Sequence, residues 1–176
     1  IGTVWNVDIE GIDASHWKHS RIRATGNTFS SISQGIGRSF VQHAQPDDAC
    51  HGFLTIVGSM TGRIALIKHG VCEFDVKAKR AQDAGFSAVI IYNDVIGQYH
   101  LMDGETSLGV NIPVVFIALK DAMMLLALIG SMPDTQLAIS GPVSTPQERW
   151  GNLESFSSGG PTIDGRIVPS VVAPGS

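Results

Sequence analysis

The two cysteines are the first residues of this chain whose type and spacing suggest chemistry. Cys50 and Cys72 lie 22 positions apart, which is the spacing of neither a redox-active CxxC pair nor a zinc-ligand pair. His51 and His69 lie near them, but isolated Cys and His neighbours beside glycines are more typical of structural than of chelating roles. The spacing leaves two alternatives open: two buried thiols, or one bridge that would stabilise the fold by roughly 3 kcal/mol in an oxidising compartment.

Two adjacent serines, Ser157 and Ser158, lie in a glycine-rich turn and are the candidates for a nucleophile. A Ser-His-Asp mechanism needs a base and an orienting acid near the nucleophile, and no GxSxG elbow surrounds this pair. The sequence also contains no Gly-Thr-Ser-Met-Ala, His-Gly-Thr or Asp-Thr/Ser-Gly motif. We therefore predict no catalytic residue in this chain, and we expect the serines to bond local backbone.

Two histidines, His16 and His19, are spaced three apart near Asp13, so they would share one face of a helix. A third metal ligand is not identifiable, and the HExxH arrangement of zinc peptidases is absent from the sequence. Ordinary surface histidines are the simpler interpretation, so we predict no metal site.

The glycines and acidic residues do not indicate a cofactor either. Gly35 and Gly37 in ISQGIGRSF lack the third glycine and the following acidic residue of a dinucleotide fingerprint, so the segment is predicted to be a loop. The loop from Asp94 to Glu105 lacks the dense alternation of oxygen ligands found in calcium loops. We predict no cofactor, and a solvated loop at Asp94, Asp103 and Glu105.

The scaffold around these residues is clearest between Gly62 and Tyr92. The segment Gly62–His69 has a four-residue apolar centre between turn signals, which predicts a buried strand. A helix is predicted over Glu73–Ala84, ended by Gly85 in the left-handed conformation. Ala88–Tyr92 then reads as a second strand, and strand, helix, strand in this order predicts a parallel pair.

The predicted helix over Glu73–Ala84 is amphipathic. Its apolar or small residues Phe74, Ala78 and Ala81 recur at helical spacing, which predicts the buried face. The charged residues fall elsewhere on the helix, off the predicted buried face: Asp75, Lys77, Lys79, Arg80 and Asp83.

Shorter elements are predicted on either side of this unit. Residues 1 to 60 alternate apolar stretches with turn residues, which predicts brief strands joined by loops. Ile112–Ile117 is predicted to be a strand with Pro113 near its start. Lys120–Ile129 is predicted to be a buried, almost wholly apolar helix ended by Gly130, followed by a short strand over Gln136–Ile139. A proline-bearing connector begins at Gly141.

Composition narrows the classes of function. The net charge of −4 provides no positive field to attract phosphate backbones, so we expect no nucleic-acid partner. The longest apolar run, Ala122–Ile129, is far shorter than the ~20 residues of a membrane-spanning helix, so we expect no membrane span. The amino terminus lacks a signal-peptide pattern and is expected to be internal to a longer protein.

One long stretch carries a family resemblance. Residues 62–94, GRIALIKHGVCEFDVKAKRAQDAGFSAVIIYND, resemble the core signature of protease-associated domains, in which a strand leads into a Gly-x-Cys-x-Phe turn, a helix, and a strand ending in Tyr-Asn-Asp. The matching residues here are Gly70, Cys72 and Phe74, then Tyr92, Asn93 and Asp94. NIPVVFIALKDAMMLL and DDACHG are similar to further parts of that family, so the resemblance covers residues 47–139. It implies a disulfide between Cys50 and Cys72.

The tail carries a second resemblance. Residues 155–176, SFSSGGPTIDGRIVPSVVAPGS, resemble the segment that runs shortly upstream of the nucleophile in subtilisin-like serine proteases. Three positions depart from that family, which usually has Arg, Lys and Asp where this chain has Gly159, Val168 and Ser170. The resemblance implies that Phe156, with Ser157 and Ser158, lies near the primed side of a substrate cleft, whereas the residue type alone is equally compatible with a core aromatic.

Together the resemblances imply a mixed α/β fold of the swivelling β/β/α type of protease-associated domains. It would have a β-rich core and two helices, plus an incomplete subtilase-like segment at the carboxyl end. The implied organisation is a β-rich flank over residues 1–46, the protease-associated domain over 47–142, and a catalytic-domain fragment over 143–176.

The implied function is a non-catalytic portion of a secreted or extracytoplasmic serine endopeptidase, whose triad lies outside this chain. Its partners would be a polypeptide substrate or protein and the remainder of the catalytic domain. The alternative is a stand-alone module that binds or sorts proteins.

Overall fold

A computed structural model describes most of the chain, and every described residue belongs to one compact unit, Gly2–Ser144. The described residues are 4–10, 20–30, 32, 34–51, 60–96 and 102–142.

The described residues of this unit form seven strands, two α-helices and one short 3₁₀ turn. The strands are β1 (Val4–Glu10), β2 (Ser20–Thr25), β3 (Ile36–His43), β4 (Arg63–Lys68), β5 (Ala88–Tyr92), β6 (Val114–Ile117) and β7 (Gln136–Ser140). The helices are α1 (Phe74–Asp83), α2 (Leu119–Ser131) and a short 3₁₀ turn at Thr106–Leu108. The mixed α/β class with a β-rich core and two helices is therefore confirmed.

The strands close into a barrel in the order β1-β2-β6-β5-β4-β3-β7, with β7 pairing back onto β1. Strands β3 to β6 are mutually parallel, whereas the other pairings are antiparallel. The predicted parallel pair is confirmed, because β4 and β5 are neighbours joined through α1. Strands β1, β2 and β3 all lie in the segment assigned by sequence to an amino-terminal flank, and all three belong to the same barrel.

Alternate residues of the strands enter two separate apolar clusters, because successive side chains point to opposite faces of a sheet. The first cluster contains residues of all seven strands and of α2, so it fills the interior of the barrel. The second contains outward residues of β4, β5 and β6, loop residues such as Phe29 and Phe86, and Phe74, Ala78 and Ala81 of α1. The predicted buried face of α1 is thus confirmed.

Two predictions about α2 are wrong. The helix buries one face, through Ala122, Leu125 and Leu128, whereas Met123 on the opposite face is 61% exposed. Gly130 does not end the helix, because the Met132 amide still donates to the Leu128 carbonyl at 2.7 Å and continues the helical pattern. By contrast, Gly85 ends the α1 region with a φ of 92°, as predicted.

Two further predictions are wrong for a common reason, which is packing that periodicity does not reveal. Asp75 and Lys77 of α1 are buried, although they fall off the predicted buried face. The segment predicted to be a loop around Gly37 is instead part of β3, which pairs with β4 and β7. A side-chain carbon at Gly35 would lie 1.8 Å from the Ile139 carbonyl oxygen, so glycine permits the close approach of this segment to β7.

Candidate interaction surface

The carboxyl ends of the four parallel strands meet at one edge of the barrel. Two adjacent loops leave this edge, residues 69–73 after β4 and residues 93–96 after β5, and we call them the paired loops. Ligands of α/β sheets commonly bind beyond the carboxyl ends of parallel strands, which makes this edge the natural candidate site.

A direct contact joins the paired loops. The Nδ1 atom of His69 lies 2.9 Å from Oδ1 of Asp94, and this hydrogen bond lowers the pKa of the Asp94 carboxyl. The imidazole ring also stacks on Phe74, with ring centroids 5.0 Å apart. His69 is therefore a bridge between the loops and the first turn of α1, so the two loops form one surface.

Apolar side chains are concentrated on the paired loops. Val71 is 80% exposed, Ile96 84% and Val95 44%, and these are three of the five exposed large hydrophobic residues of the described part. Val71 also has a φ of 68°, a left-handed conformation that a β-branched residue rarely adopts. We call Val71, Val95 and Ile96 the apolar patch. Exposed apolar groups on a conformationally constrained loop are typical of a binding surface.

A disulfide anchors the first of the paired loops. The structure joins Cys50 and Cys72, the pair that the family resemblance implied, with a Cα–Cα distance of 5.7 Å. Cys50 follows β3 and Cys72 lies two residues before α1, so the bridge ties together the loops at the ends of β3 and β4. Of the neighbouring histidines, His51 is exposed and His69 contacts Asp94.

Buried Lys77 contacts the same bridge on the side of Cys50. Its Nζ atom donates to the Asp48 carbonyl at 2.5 Å and lies 3.1 Å from the sulfur of Cys50. Burial lowers the pKa of Lys77, and the carboxylates of Asp48 and Asp47 oppose that shift. One turn along the helix, Nη1 of Arg80 donates to the Ala49 carbonyl at 3.2 Å. Both cations therefore fix the loop that carries Cys50.

Asp75 and Gln82, at opposite ends of α1, position a further loop. The Asp75 carboxylate accepts from the Glu105 amide at 2.6 Å, and the Gln82 side chain accepts from the Asn111 amide at 2.6 Å and donates to the Gly109 carbonyl at 3.1 Å. Sequence reasoning missed these roles. One sequence signal for these roles was available. Polar residues lie beside the apolar stripe of this helix, and loops rich in glycine flank the helix, so the polar side chains could bond loop backbone.

A polar pair lies at the ends of β3 and β5. The Nε2 atom of His43 lies 3.2 Å from the Tyr92 hydroxyl. Burial lowers the pKa of His43 and raises the pKa of Tyr92 to about 12. Both groups are therefore neutral near pH 7. This pair is a neutral hydrogen-bonded contact at the ends of β3 and β5 and not a charged centre.

Several predicted site residues lie outside the described residues. They are Phe156, Ser157 and Ser158 of the proposed cleft, the departures Gly159, Val168 and Ser170, and Asp13, His16 and His19. Within the described ranges, no three His, Cys, Asp or Glu side chains are grouped so as to hold a metal ion. No helix among those ranges is both long and apolar enough to cross a membrane.

The barrel, its two helices and the disulfide-bridged loop define a compact β-rich domain. Its apolar patch lies on the paired loops at one edge of the barrel. Residues 31–125 match the family described as the PA domain, and they make up more than half of the chain. The chain therefore belongs to the PA domain family.

Individual relatives carry this domain within much longer proteins. The chain is 36% identical over 99 residues to "Signal peptide peptidase-like 4" of Oryza sativa subsp. japonica, covering 55% of this chain and 17% of the relative. It is 32% identical over 115 residues to "C5a peptidase" of Streptococcus pyogenes, covering 65% of this chain and 9% of the relative. The chain thus spans less than a fifth of the length of either relative.

Solved structures show the same fold. The zinc aminopeptidase BSAP from Bacillus subtilis superposes with a TM-score of 0.53 at 21% identity, over 80% of this chain and 32% of that one. At this identity the likeness concerns the fold alone.

Proposed function

We propose that this chain is a non-catalytic accessory domain of an extracytoplasmic peptidase, and that the apolar patch binds polypeptide. The single observation that carries the proposal is the exposure of Val71, Val95 and Ile96 on loops that His69 and Asp94 hold together. Apolar groups presented on a fixed frame lose little conformational entropy on binding, so they suit recognition of a protein segment. The peptidases among the relatives support the catalytic context.

The finer proposal is that the parent enzyme is a subtilisin-like serine endopeptidase. Its support is the tail, residues 155–176, with the order and spacing of that family's segment upstream of the nucleophile. In this proposal Phe156, Ser157 and Ser158 line the cleft, and the triad is supplied by neighbouring sequence. The disulfide is consistent with an oxidising, extracytoplasmic compartment.

The test uses the full-length protein with Val71→Ser and Ile96→Ser combined. We expect kcat/KM for a folded protein substrate to fall about fivefold to tenfold, since truncation of central apolar contacts typically costs more than ~1 kcal/mol. Cleavage of a short chromogenic peptide should be unchanged, because such a peptide occupies only the catalytic cleft.

The matched control is Met123→Ser, which removes an exposed apolar group from α2, away from the apolar patch. It should leave both substrates unaffected. Equal losses on protein and short peptide would show that the patch supports the catalytic domain instead of binding substrate, and no loss on either would also contradict the proposal.

A second candidate is a binding module without peptidase activity. It is favoured by the compactness of Gly2–Ser144, which contains both apolar clusters. The sequence of the longer reading frame distinguishes the accessory domain of a peptidase from the binding module. A Gly-Thr-Ser-Met-Ala motif after Ser176, with Asp and His motifs before Ile1, indicates the peptidase.

A further inference from the structure

The surroundings of the Cys50–Cys72 bridge are cationic. Nζ of Lys77 lies 3.1 Å from the Cys50 sulfur, and Nη1 of Arg80 lies 4.0 Å from the Cys72 sulfur. Each sulfur thus has its own positive group, and both groups project from α1. Cations at this distance stabilise a thiolate and do much less for a neutral disulfide sulfur.

The charge of Lys77 is poorly compensated while the bridge is intact. Its side chain is fully buried, and within the described part of the chain no carboxylate lies within salt-bridge distance of it. Asp47, Asp48 and Asp94 are close enough to act on its pKa, but within the described residues its ammonium group donates to the Asp48 carbonyl and the Cys50 sulfur rather than to a carboxylate. A buried cation with no counter-charge in direct contact is unfavourable, and a Cys50 thiolate would supply that contact.

The two sulfurs differ in access. Cys50 is 6% exposed, whereas Cys72 is half-buried and lies in the loop that carries the exposed Val71. An incoming thiolate therefore meets Cys72 first. That leaves Cys50, beside Lys77, as the leaving group, and a stabilised leaving thiolate departs faster.

We propose that Cys50–Cys72 is a redox-active bridge that external thiols open by attack at Cys72. In the first step a thiolate bonds to the Cys72 sulfur, the bridge breaks, and Cys50 leaves as a thiolate paired with Lys77. In the second step another thiolate takes the external sulfur as a disulfide and leaves Cys72 as a thiolate beside Arg80. Two external thiols are oxidised, and the two cysteines receive two electrons. This inference does not depend on the proposed function.

The test equilibrates the protein in glutathione redox buffers and counts free thiols by alkylation and mass spectrometry. We expect Lys77→Met to shift the equilibrium toward the bridge by about tenfold, equivalent to about 30 mV for a two-electron couple, and Arg80→Gln to shift it in the same direction. The control is Lys79→Met on the same helix, which removes a cation that pairs with Asp83 instead. Lys79→Met should match the wild type, and equal behaviour of all three variants would overturn the proposal.

Two measurements on the wild-type protein keep the test decisive if Lys77→Met does not fold. A brief reaction with glutathione, quenched with acid and mapped, should find the adduct on Cys72; an adduct mainly on Cys50 would contradict the proposed order. The fully reduced protein should alkylate with a thiol pKa below the ordinary value of about 8.5. A value at or above it would mean that the two cations do not stabilise thiolates.

Discussion

Helices α1 and α2 contact the same barrel through different chemistry. Helix α2 contributes Ala122, Leu125 and Leu128 to the interior cluster, and among the described residues its side-chain hydrogen bonds are those of Ser131 to carbonyls of its own helix. Helix α1 adds polar contacts from Asp75, Lys77, Arg80 and Gln82 to two separate loops, one of which carries a cysteine of the disulfide.

Helix α2 therefore contributes mainly to the stability of the fold, whereas α1 also fixes the positions of loops. Apolar packing is non-directional and roughly proportional to buried area, so it holds α2 in place without fixing any particular loop. Hydrogen bonds are directional, so those of α1 define where each loop backbone lies. The loop after β3 and the loop before β6 therefore depend on these hydrogen bonds of α1. Helix α1 reaches the paired loops through the stacking of Phe74 on His69, so the candidate site lies on the side of the barrel that carries α1.

The largest expected effect tests whether α2 is held by packing alone. Replacing Leu125 with alanine removes a fully buried side chain from the interior cluster and should lower the free energy of unfolding by about 2–5 kcal/mol. Urea unfolding followed by tryptophan fluorescence measures this loss. The exposed neighbour Met123, changed to alanine, should alter the free energy by less than about 0.5 kcal/mol; similar losses from both would show that the exposed face of α2 is also covered.

A smaller effect compares one substitution at the ends of the two helices. Gly85→Ala should destabilise the protein by about 1–2 kcal/mol, because the left-handed φ of 92° is unfavourable for a residue with a side chain. Gly130→Ala should stabilise it by about 0.5 kcal/mol, since this glycine continues α2 and nothing lies within 4 Å of an added carbon. Thermal unfolding measures the melting temperature of each variant. A change of the same sign in both variants would contradict the different roles assigned to Gly85 and Gly130.

The smallest effect concerns acid. The hydrogen bond from His69 lowers the pKa of Asp94 below its ordinary 3.8, so the unfolded chain binds this proton before the folded protein does. The resulting stability is present above pH 3.8 and is lost as the pH falls through the lowered pKa. Between about pH 6 and about pH 3, Asp94→Asn should therefore lose less stability than the wild type in urea titrations.

The control for this titration is Asp134→Asn, which changes an exposed carboxylate in the turn before β7. Its pH profile should follow that of the wild type. If Asp94→Asn gives that same profile, the His69 contact does not stabilise the fold, and the inference that this contact holds the paired loops together is wrong.

Sequence patterns predicted the elements that depend on local periodicity. Strands β4 and β5, helix α1 and the role of Gly85 follow from apolar spacing and from the one residue type that favours a positive φ. The bridge between Cys50 and Cys72 came only from family resemblance, because the spacing of the two cysteines was compatible with free thiols.

The errors occurred where distant segments decide the environment. From the sequence, Lys77 falls off the apolar face of α1. In the structure it is buried, because the loop carrying Asp48 and Cys50 covers it. Similarly, Gly37 lies in a glycine-rich segment that becomes a strand because β4 and β7 pair with it from both sides. The apolar patch could not be predicted from Val71, Val95 and Ile96 alone, since burial of a single aliphatic residue depends on its neighbours.

The pairing of the first strand with the last has a consequence for how such a domain is built into larger proteins. Asn6 of β1 lies opposite Ser140 of β7, and the two strands run antiparallel. The polypeptide thus enters and leaves the barrel side by side. A segment with this geometry can be spliced into a surface turn of a host chain without separating the residues on either side of the junction, so the host fold need not change to accept it.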